Sequence, residues 1–275
     1  MDSKFTTLSN ELKIHYLEVN NKSDTTLLMI HGLSSSCFLW TPLIKELNKH
    51  KFNIYAIDLK GHGLSGKPEN GYSMKSLSED VINFIKKMKL NNVIIIGQSM
   101  GADLGVLVST KINDKIIGCI GIDGGAINLK QKFLIKKIAL KALEPPNMEG
   151  IDKDIMLNRM REHRKDWSEE AIQGQFSIFE VDNNNKIKKR LKLENHMKIL
   201  NGLWDNSSIE NLLASKVPIY LILVKFDLNL NKFKNKDVKI EIKQVDGDHD
   251  IHAQKPKLVS DLIMKKIKGN FFEKR

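Results

Sequence analysis

The chain has 275 residues, 41% of them hydrophobic, with 17 glycines and 6 prolines, which excludes a fibrous or disordered protein. This length fits one domain that carries an inserted subdomain. The net charge of +11 raises nucleic acid and acidic membranes as partners. Only five residues are arginine, and the lysines are scattered along the chain. We therefore predict no nucleic-acid partner, and membrane contact through the basic run at residues 186–192 is the weaker alternative.

The two cysteines, Cys37 and Cys119, match no metal-ligand spacing. They are expected to be free thiols in a reducing compartment. The first residues lack the apolar stretch of a secretory signal, and the apolar runs are too short to cross a bilayer. We predict a cytoplasmic protein with neither metal nor cofactor.

Apolar runs alternate with amphipathic stretches in the first half of the chain, which is typical of a parallel α/β sheet. Ser76 and Glu79 have the spacing of a helix-capping box. The pattern predicts strands at residues 13–19, 26–32, 53–58, 92–97 and 115–123, and helices at 38–49, 76–88 and 100–110.

The alternation stops between residues 124 and 205. Three stretches there have helical patterns, none has a convincing strand pattern, and the basic run at 186–192 is interpreted as a solvated helix face. Strands are predicted again at 217–224 and 237–245, and a last helix at 256–268. This predicts a core formed by residues 1–123 and 206–275, with a helical cap formed by residues 124–205.

The segment Gly97-Gln98-Ser99-Met100-Gly101 places a serine between two glycines, where a strand gives way to a helix. This G-x-S-x-G pattern in a strand–helix context is what a nucleophile elbow requires. The serine is expected to sit in a strained backbone conformation. Side chains two positions before and after it would clash, which explains the glycines.

Together with three further segments, the elbow resembles the α/β-hydrolase superfamily. The segments are "HGLSSSCFLW" from His31, "DLKGHGLSGKP" from Asp58, and "GDHDIHAQKP", in which Pro256 follows His249 by seven residues. The resemblance covers nearly the whole chain except the cap. It implies an α/β-hydrolase fold: a mostly parallel, eight-stranded sheet with helices on both faces and a helical cap inserted after strand 6.

The resemblance also implies a Ser-acid-His triad in that chain order, with Ser99 as nucleophile and His249 as base. His252 is the closest rival for the base. The resemblance places the acid at Asp227, although Val224 stands where the family often has glycine; Asp123, after the preceding strand, is the alternative. Asp246, Asp248 and Asp250 flank the histidine and are expected to raise its pKa. An oxyanion hole is implied at the backbone N–H groups of Leu33 and Met100.

Five residues are expected to line the substrate pocket: Phe38 of the segment that starts at His31, Trp167, Phe176 and Trp204 of the cap, and His252. We predict a serine esterase or lipase that cleaves carboxylic esters of small to medium apolar molecules, as a monomer or homodimer. The alternatives are a hydrolase of C–C, thioester or amide bonds with the same triad, and a slow ligand-sensing member of the fold.

Overall fold

A computed structural model describes residues 1–224 and 238–273 of the chain. Its strands in chain order are β1 (Asp2–Thr7), β2 (Lys13–Val19), β3 (Thr26–Ile30), β4 (Asn53–Ile57), β5 (Val93–Gln98), β6 (Ile116–Ile122), β7 (Phe179–Val181), β8 (Ile187–Lys189), β9 (Ile219–Leu223) and β10 (Ile240–Gln244).

Eight of these strands form one sheet in the order β1-β2-β4-β3-β5-β6-β9-β10. The pairs β1–β2 and β2–β4 are antiparallel, and every other neighbouring pair is parallel. The prediction of a mostly parallel, eight-stranded sheet is therefore confirmed.

The helices of the described ranges follow the strands in the alternation that the sequence predicts. They are α1 (Thr41–Asn48), directly after a 3-10 turn at Cys37–Trp40, α2 (Met74–Lys87), α3 (Met100–Lys111), α4 (Leu129–Lys132), α5 (Lys136–Ala142), α6 (Lys153–His163), α7 (Glu169–Phe176), α8 (Leu193–Asp205), α9 (Ser208–Ala214), α10 (Ile251–Gln254) and α11 (Pro256–Lys268). Within residues 1–224 and 238–273, no helix has the length and apolarity needed to span a membrane.

The central strands are buried on both faces, which explains why they are almost continuously apolar. In β3, Leu28 and Ile30 belong to one core cluster, whereas Leu27 and Met29 belong to the other. Helices α2 and α3 supply the first cluster, and α1 and α11 supply the second. The carboxyl ends of the parallel strands therefore lie at one edge of a sheet that is covered by helices on both faces.

Three local predictions are wrong. The N-cap of α2 is Ser73, whose hydroxyl accepts the N–H of Ser76, so Ser76 lies inside the first turn instead of capping it. The stretch 124–205 does contain strands, because β7 and β8 form an antiparallel hairpin. The basic run at 186–192 is not a helix face: Ile187–Lys189 form β8, Asn185 turns the chain before it with a φ of 60°, and the Ile187 side chain is buried. The short edge strand β1, mostly exposed, had no alternating apolar pattern and was not predicted.

We call residues 124–205 the cap segment; it holds α4 to α8 and the hairpin. Part of it forms a third apolar cluster, in which Trp167 and Phe176 of the cap segment pack with Leu39 and Ala253. Leu39 precedes α1, and Ala253 lies in α10. The cap segment is therefore packed directly onto the chain around His249.

Candidate active site

Ser99 stands at the junction of β5 and α3, with φ 51° and ψ −126°. A positive φ is rare for a residue with a side chain and stores strain. Its N–H donates to the carbonyl of Ile122 at 2.9 Å, which joins the turn to the end of β6. The sharp strand-to-helix turn expected from the sequence is therefore present.

The glycines on either side of Ser99 are required by close backbone contact. A Cβ on Gly97 would overlap the backbone of Gly101 and Ala102, and a Cβ on Gly101 would overlap the carbonyl of Ile30. Helix α3 can begin this close to β3 and β5 only without those side chains.

The segment that follows β3 reaches Ser99 from the other side. A Cβ on Gly32 would lie 3.1 Å from the Cβ of Ser99, so the neighbouring Leu33 is placed beside the serine. Met100 is the first residue of α3, and the N–H groups of a first helical turn have no acceptor within the helix. Leu33 and Met100 therefore lie where two backbone donors could face an oxyanion near Ser99; that they do so stays a prediction.

His249 and Asp123 form a close pair beside this turn. His249 Nδ1 lies 2.5 Å from Asp123 Oδ2, and the other carboxylate oxygen accepts the N–H of Val224 at 3.0 Å. The side-chain amide of Gln98 donates to the carbonyl of His249 at 3.1 Å. A Cβ on Gly124, next to Asp123, would overlap the carbonyl oxygen of Ser99. The imidazole–carboxylate pair therefore lies beside the turn that carries Ser99.

Asp227, which the resemblance favoured as the acid, lies outside the described residues. Asp123, the alternative, is the carboxylate that the structure places on the imidazole. Its backbone has a φ of 45°, a conformation that aspartate tolerates better than most residues.

Hydrogen bonding to Asp123 raises the pKa of His249 above the 6.5 of an ordinary histidine, and the charge of Asp250 adds to the effect. Burial and the charge of Arg164 oppose the rise. The expected upward direction is present, but its largest cause is Asp123 and not the flanking aspartates.

The activity of this site is expected to fall on the acidic side at a higher pH than 6.5. A base must be neutral to accept a proton, and a raised pKa keeps His249 protonated over a wider acidic range. The measurement is kcat/KM for a p-nitrophenyl ester between pH 5 and 9, with the His249 ring titrated by NMR. An acidic limb at or below pH 6.5 would contradict this.

Other histidines near the site are not expected to contribute to the acidic limb of that pH profile. Burial lowers the pKa of His62 and of His252 to about 3, and that of His196 to about 4, so all three stay neutral where the limb is measured. His252 is buried, with its ring 4.2 Å from that of Trp40. This placement argues against His252 as the base.

The residues predicted to line the pocket all pack against protein, and their role with substrate stays a prediction. The Phe38 ring stacks on His15 at 5.4 Å, and the Phe176 ring lies 5.6 Å from Phe179. Trp204 packs against the larger core cluster. Trp167 is buried, and its indole N–H donates to Asp248. His252 packs on Trp40, as described above.

A cavity of about 250 Å³ opens beside the segment that carries Leu33. It is lined by Ser34, Pro145, Pro146, Lys189, Leu191 and His196, among others. The Ser34 hydroxyl lies 2.8 Å from His196 Nδ1, which ties helix α8 of the cap segment to the residue after Leu33. Neither Ser34 nor His196 was predicted, because a contact between residues 162 positions apart leaves no local sequence signal.

Among the described residues, one cluster brings three potential metal ligands together: His15, Cys37 and Asp58, all buried. The Asp58 carboxylate already pairs with His15 at 2.7 Å and accepts the N–H groups of Cys37 and Leu64. Burial also raises the pKa of the Cys37 thiol, and a protonated thiol is a poor ligand. These contacts brace the loop after β4 instead.

The chain belongs to the α/β hydrolase fold family, whose sequence profile matches residues 25–207. It is similar to 2-(acetamidomethylene)succinate hydrolase of Mesorhizobium japonicum, 33% identical over 39% of this chain and 38% of the relative. It is also similar to a protein of Mycoplasma genitalium named esterase/lipase 2, 25% identical over 88% of this chain and 89% of the relative. The first match thus spans well under half of the relative's length.

The crystal structure of E-2-(acetamidomethylene)succinate hydrolase resembles this fold with a TM-score of 0.81 and 20% identity, covering 97% of this chain and 99% of that chain. At this identity the likeness shows the fold alone. The family and its hydrolase relatives support an enzyme that performs hydrolysis.

Proposed function

We propose that the protein is a serine hydrolase that cleaves carboxylic esters of small to medium apolar molecules through an acyl-enzyme on Ser99. The observation that carries the proposal is the strained serine at the β5–α3 turn, together with an imidazole beside that turn whose Nδ1 is held by Asp123. The Mycoplasma relative, which is similar over most of the chain, is named an esterase/lipase.

The proposed reaction begins with the tautomer of His249. A carboxylate on Nδ1 keeps the proton on that nitrogen, so Nε2 has a lone pair to accept the proton of Ser99. The serine oxygen then attacks the ester carbonyl. The N–H groups of Leu33 and Met100 stabilise the resulting oxyanion, each by about 3–4 kcal/mol as in other serine hydrolases.

Collapse of this intermediate breaks the bond to the alcohol, and His249 returns the proton to the leaving oxygen. Water then attacks the acyl-enzyme, with His249 again as base, and releases the carboxylic acid. Asp123 remains ionised throughout and stabilises the imidazolium that forms twice in the cycle.

The test is labelling with a fluorophosphonate, with the adduct mapped by mass spectrometry. We expect one adduct on Ser99 in the wild-type protein and none in Ser99→Ala. Labelling that is unchanged in Ser99→Ala would overturn the proposal. A single stoichiometric release of p-nitrophenol from an ester, without further turnover, would instead favour the ligand-sensing alternative.

Hydrolysis of an amide-type bond is the second candidate, because the Mesorhizobium relative is named for a substrate that carries an acetamido group. The same triad would serve, with His249 protonating nitrogen instead of oxygen. Matched p-nitrophenyl esters and p-nitroanilides with the same acyl group separate the two. Turnover of the p-nitroanilide at a rate comparable to that of the ester supports the second candidate, and turnover of the ester without measurable turnover of the anilide supports the first.

A further inference from the structure

The loop that carries His249 is held by the cap segment. We call residues 164–167, between α6 and α7, the cap turn, and residues 246–250 the histidine loop. Arg164 of the cap turn lies 3.4 Å from Asp248 and 3.7 Å from Asp250, the two residues that flank His249. The cap turn therefore contacts the histidine loop on both sides of the imidazole.

A second cap residue reaches the same carboxylate. The indole N–H of Trp167 donates to Asp248 Oδ2 at 3.2 Å, and the Arg164 guanidinium lies 4.1 Å from the centre of the Trp167 ring. Trp167 is itself buried in the third apolar cluster. Arg164 is thus pre-oriented by a fixed indole, which reduces the freedom lost when it binds the carboxylates.

A third contact joins the cap turn to the helix after the loop. The side-chain amide N–H of Gln254 in α10 donates to the carboxylate of Asp166 at 2.6 Å. The side-chain oxygen Oε1 of Gln254 accepts the backbone N–H of Asp248 at 2.7 Å. One side chain therefore closes the histidine loop and fastens it to the cap.

The histidine loop needs such support because His249 is the exposed member of the site. Its side chain is 56% exposed, and from the core it receives the contacts of Asp123 and Gln98 described above. A displacement of about 1 Å at a catalytic group can cost about 100-fold in rate. Contacts that fix Asp248 and Asp250 restrict this displacement on either side of His249.

We propose that Arg164 and Trp167 are positioning residues, which hold the histidine loop so that the His249 imidazole faces Ser99 and thereby make hydrolysis depend on docking of the cap. This inference rests on the proposed function. Neither residue touches the reacting atoms in it; both act through Asp248 and Asp250.

The charges around His249 distinguish this role from simple packing. The imidazole is faced by Asp123, just after β6, by Asp250 of its own loop and by Arg164 of the cap, while His252 of α10 is neutral. Asp248 pairs with Arg164 and acts on Asp250. Removal of Arg164 takes away the positive charge that pairs with the carboxylates of Asp248 and Asp250. The pKa of His249 then rises further, and the acidic limb moves to higher pH.

The experiment compares Arg164→Met, Arg164→Lys and Trp167→Phe with the control Arg161→Met. Arg161 lies in the last turn of α6, just before the cap turn, but its partners are Glu169 and Asn158 of the cap segment. Arg164→Met is expected to lower kcat about 10- to 100-fold, with KM changed less than about threefold, and to move the acidic limb up. Arg164→Lys keeps the limb and recovers part of kcat.

Trp167→Phe removes the indole N–H with its five-membered ring and keeps one aromatic ring, so it is expected to lower kcat about three- to tenfold without moving the limb. Arg161→Met should match the wild type. NMR titration of the His249 ring in Arg164→Met gives the same pKa rise without relying on turnover.

If Arg164→Met has the kcat of the wild type and the same His249 titration, this inference is overturned. Fluorophosphonate labelling of Ser99 in the same protein would leave the proposed function standing. Equal losses in Arg161→Met and Arg164→Met would also overturn the inference, since the effect would then be general to the cap. If the wild-type protein is not labelled on Ser99, the proposed function fails and this inference fails with it.

Discussion

Replacing Asp123 by asparagine is expected to lower kcat about 10,000-fold, as in other triads that lose their carboxylate. An asparagine amide would donate to His249 Nδ1, which moves the imidazole proton to Nε2 and leaves no lone pair for Ser99. The fold should survive, because asparagine tolerates the φ of 45° and its oxygen can still accept the N–H of Val224. The measurement is steady-state hydrolysis of a p-nitrophenyl ester.

Two matched variants complete this test. Asp250→Asn removes a carboxylate that acts on His249 through its charge, so we expect less than about a tenfold loss and a small shift of the acidic limb to lower pH. Asp227→Asn examines the acid that the resemblance favoured. If Asp227→Asn abolishes activity and Asp123→Asn does not, Asp123 is not the acid.

The sequence could not choose between these two aspartates for a physical reason. Strands β6 and β9 are neighbours in the sheet, and each is followed by an aspartate, Asp123 or Asp227. Carboxyl ends of adjacent parallel strands meet at one edge, so the chain order alone allows a histidine loop to take its acid from after either strand. Spacing along the chain carries no information about which side chain faces the imidazole.

Most of the sheet could be predicted, because strands buried on both faces leave an unmistakable apolar run. The bounds of β2 and α11 match the predicted ranges 13–19 and 256–268. The turn at Ser99 could be predicted equally well, because its serine between two glycines, after a strand pattern and before a helix pattern, is a local sequence signal.

The cap segment was the least predictable part. Each strand of its hairpin has only three residues. That is too short for an alternating apolar pattern to be recognised among the surrounding lysines. Trp167 illustrates the same limit for the site. An aromatic residue in a cap suits both a substrate pocket and a packed cluster, and only the contact with Asp248 suggests the positioning role proposed for it.

The largest effect on activity is expected at Ser99 itself. Both Ser99→Ala and Ser99→Gly should lower kcat about a millionfold, as removal of the nucleophile does in other serine hydrolases. Neither variant has a hydroxyl to form the acyl-enzyme, whereas the oxyanion donors and the cap remain in place. Residual activity should therefore be independent of His249.

The same two variants are expected to differ in stability, because Ser99 holds a φ of 51° that glycine adopts freely and alanine does not. Ser99→Gly should raise the free energy of unfolding by about 1–2 kcal/mol over Ser99→Ala, measured by urea denaturation. Ser260, inside helix α11, is the control, since helix propensity makes glycine less stable than alanine there by about 1 kcal/mol. If glycine is more stable than alanine at position 99 but less stable at position 260, the backbone strain at Ser99 lowers the stability of the fold. If alanine is the more stable residue at both positions, the turn at Ser99 stores no strain.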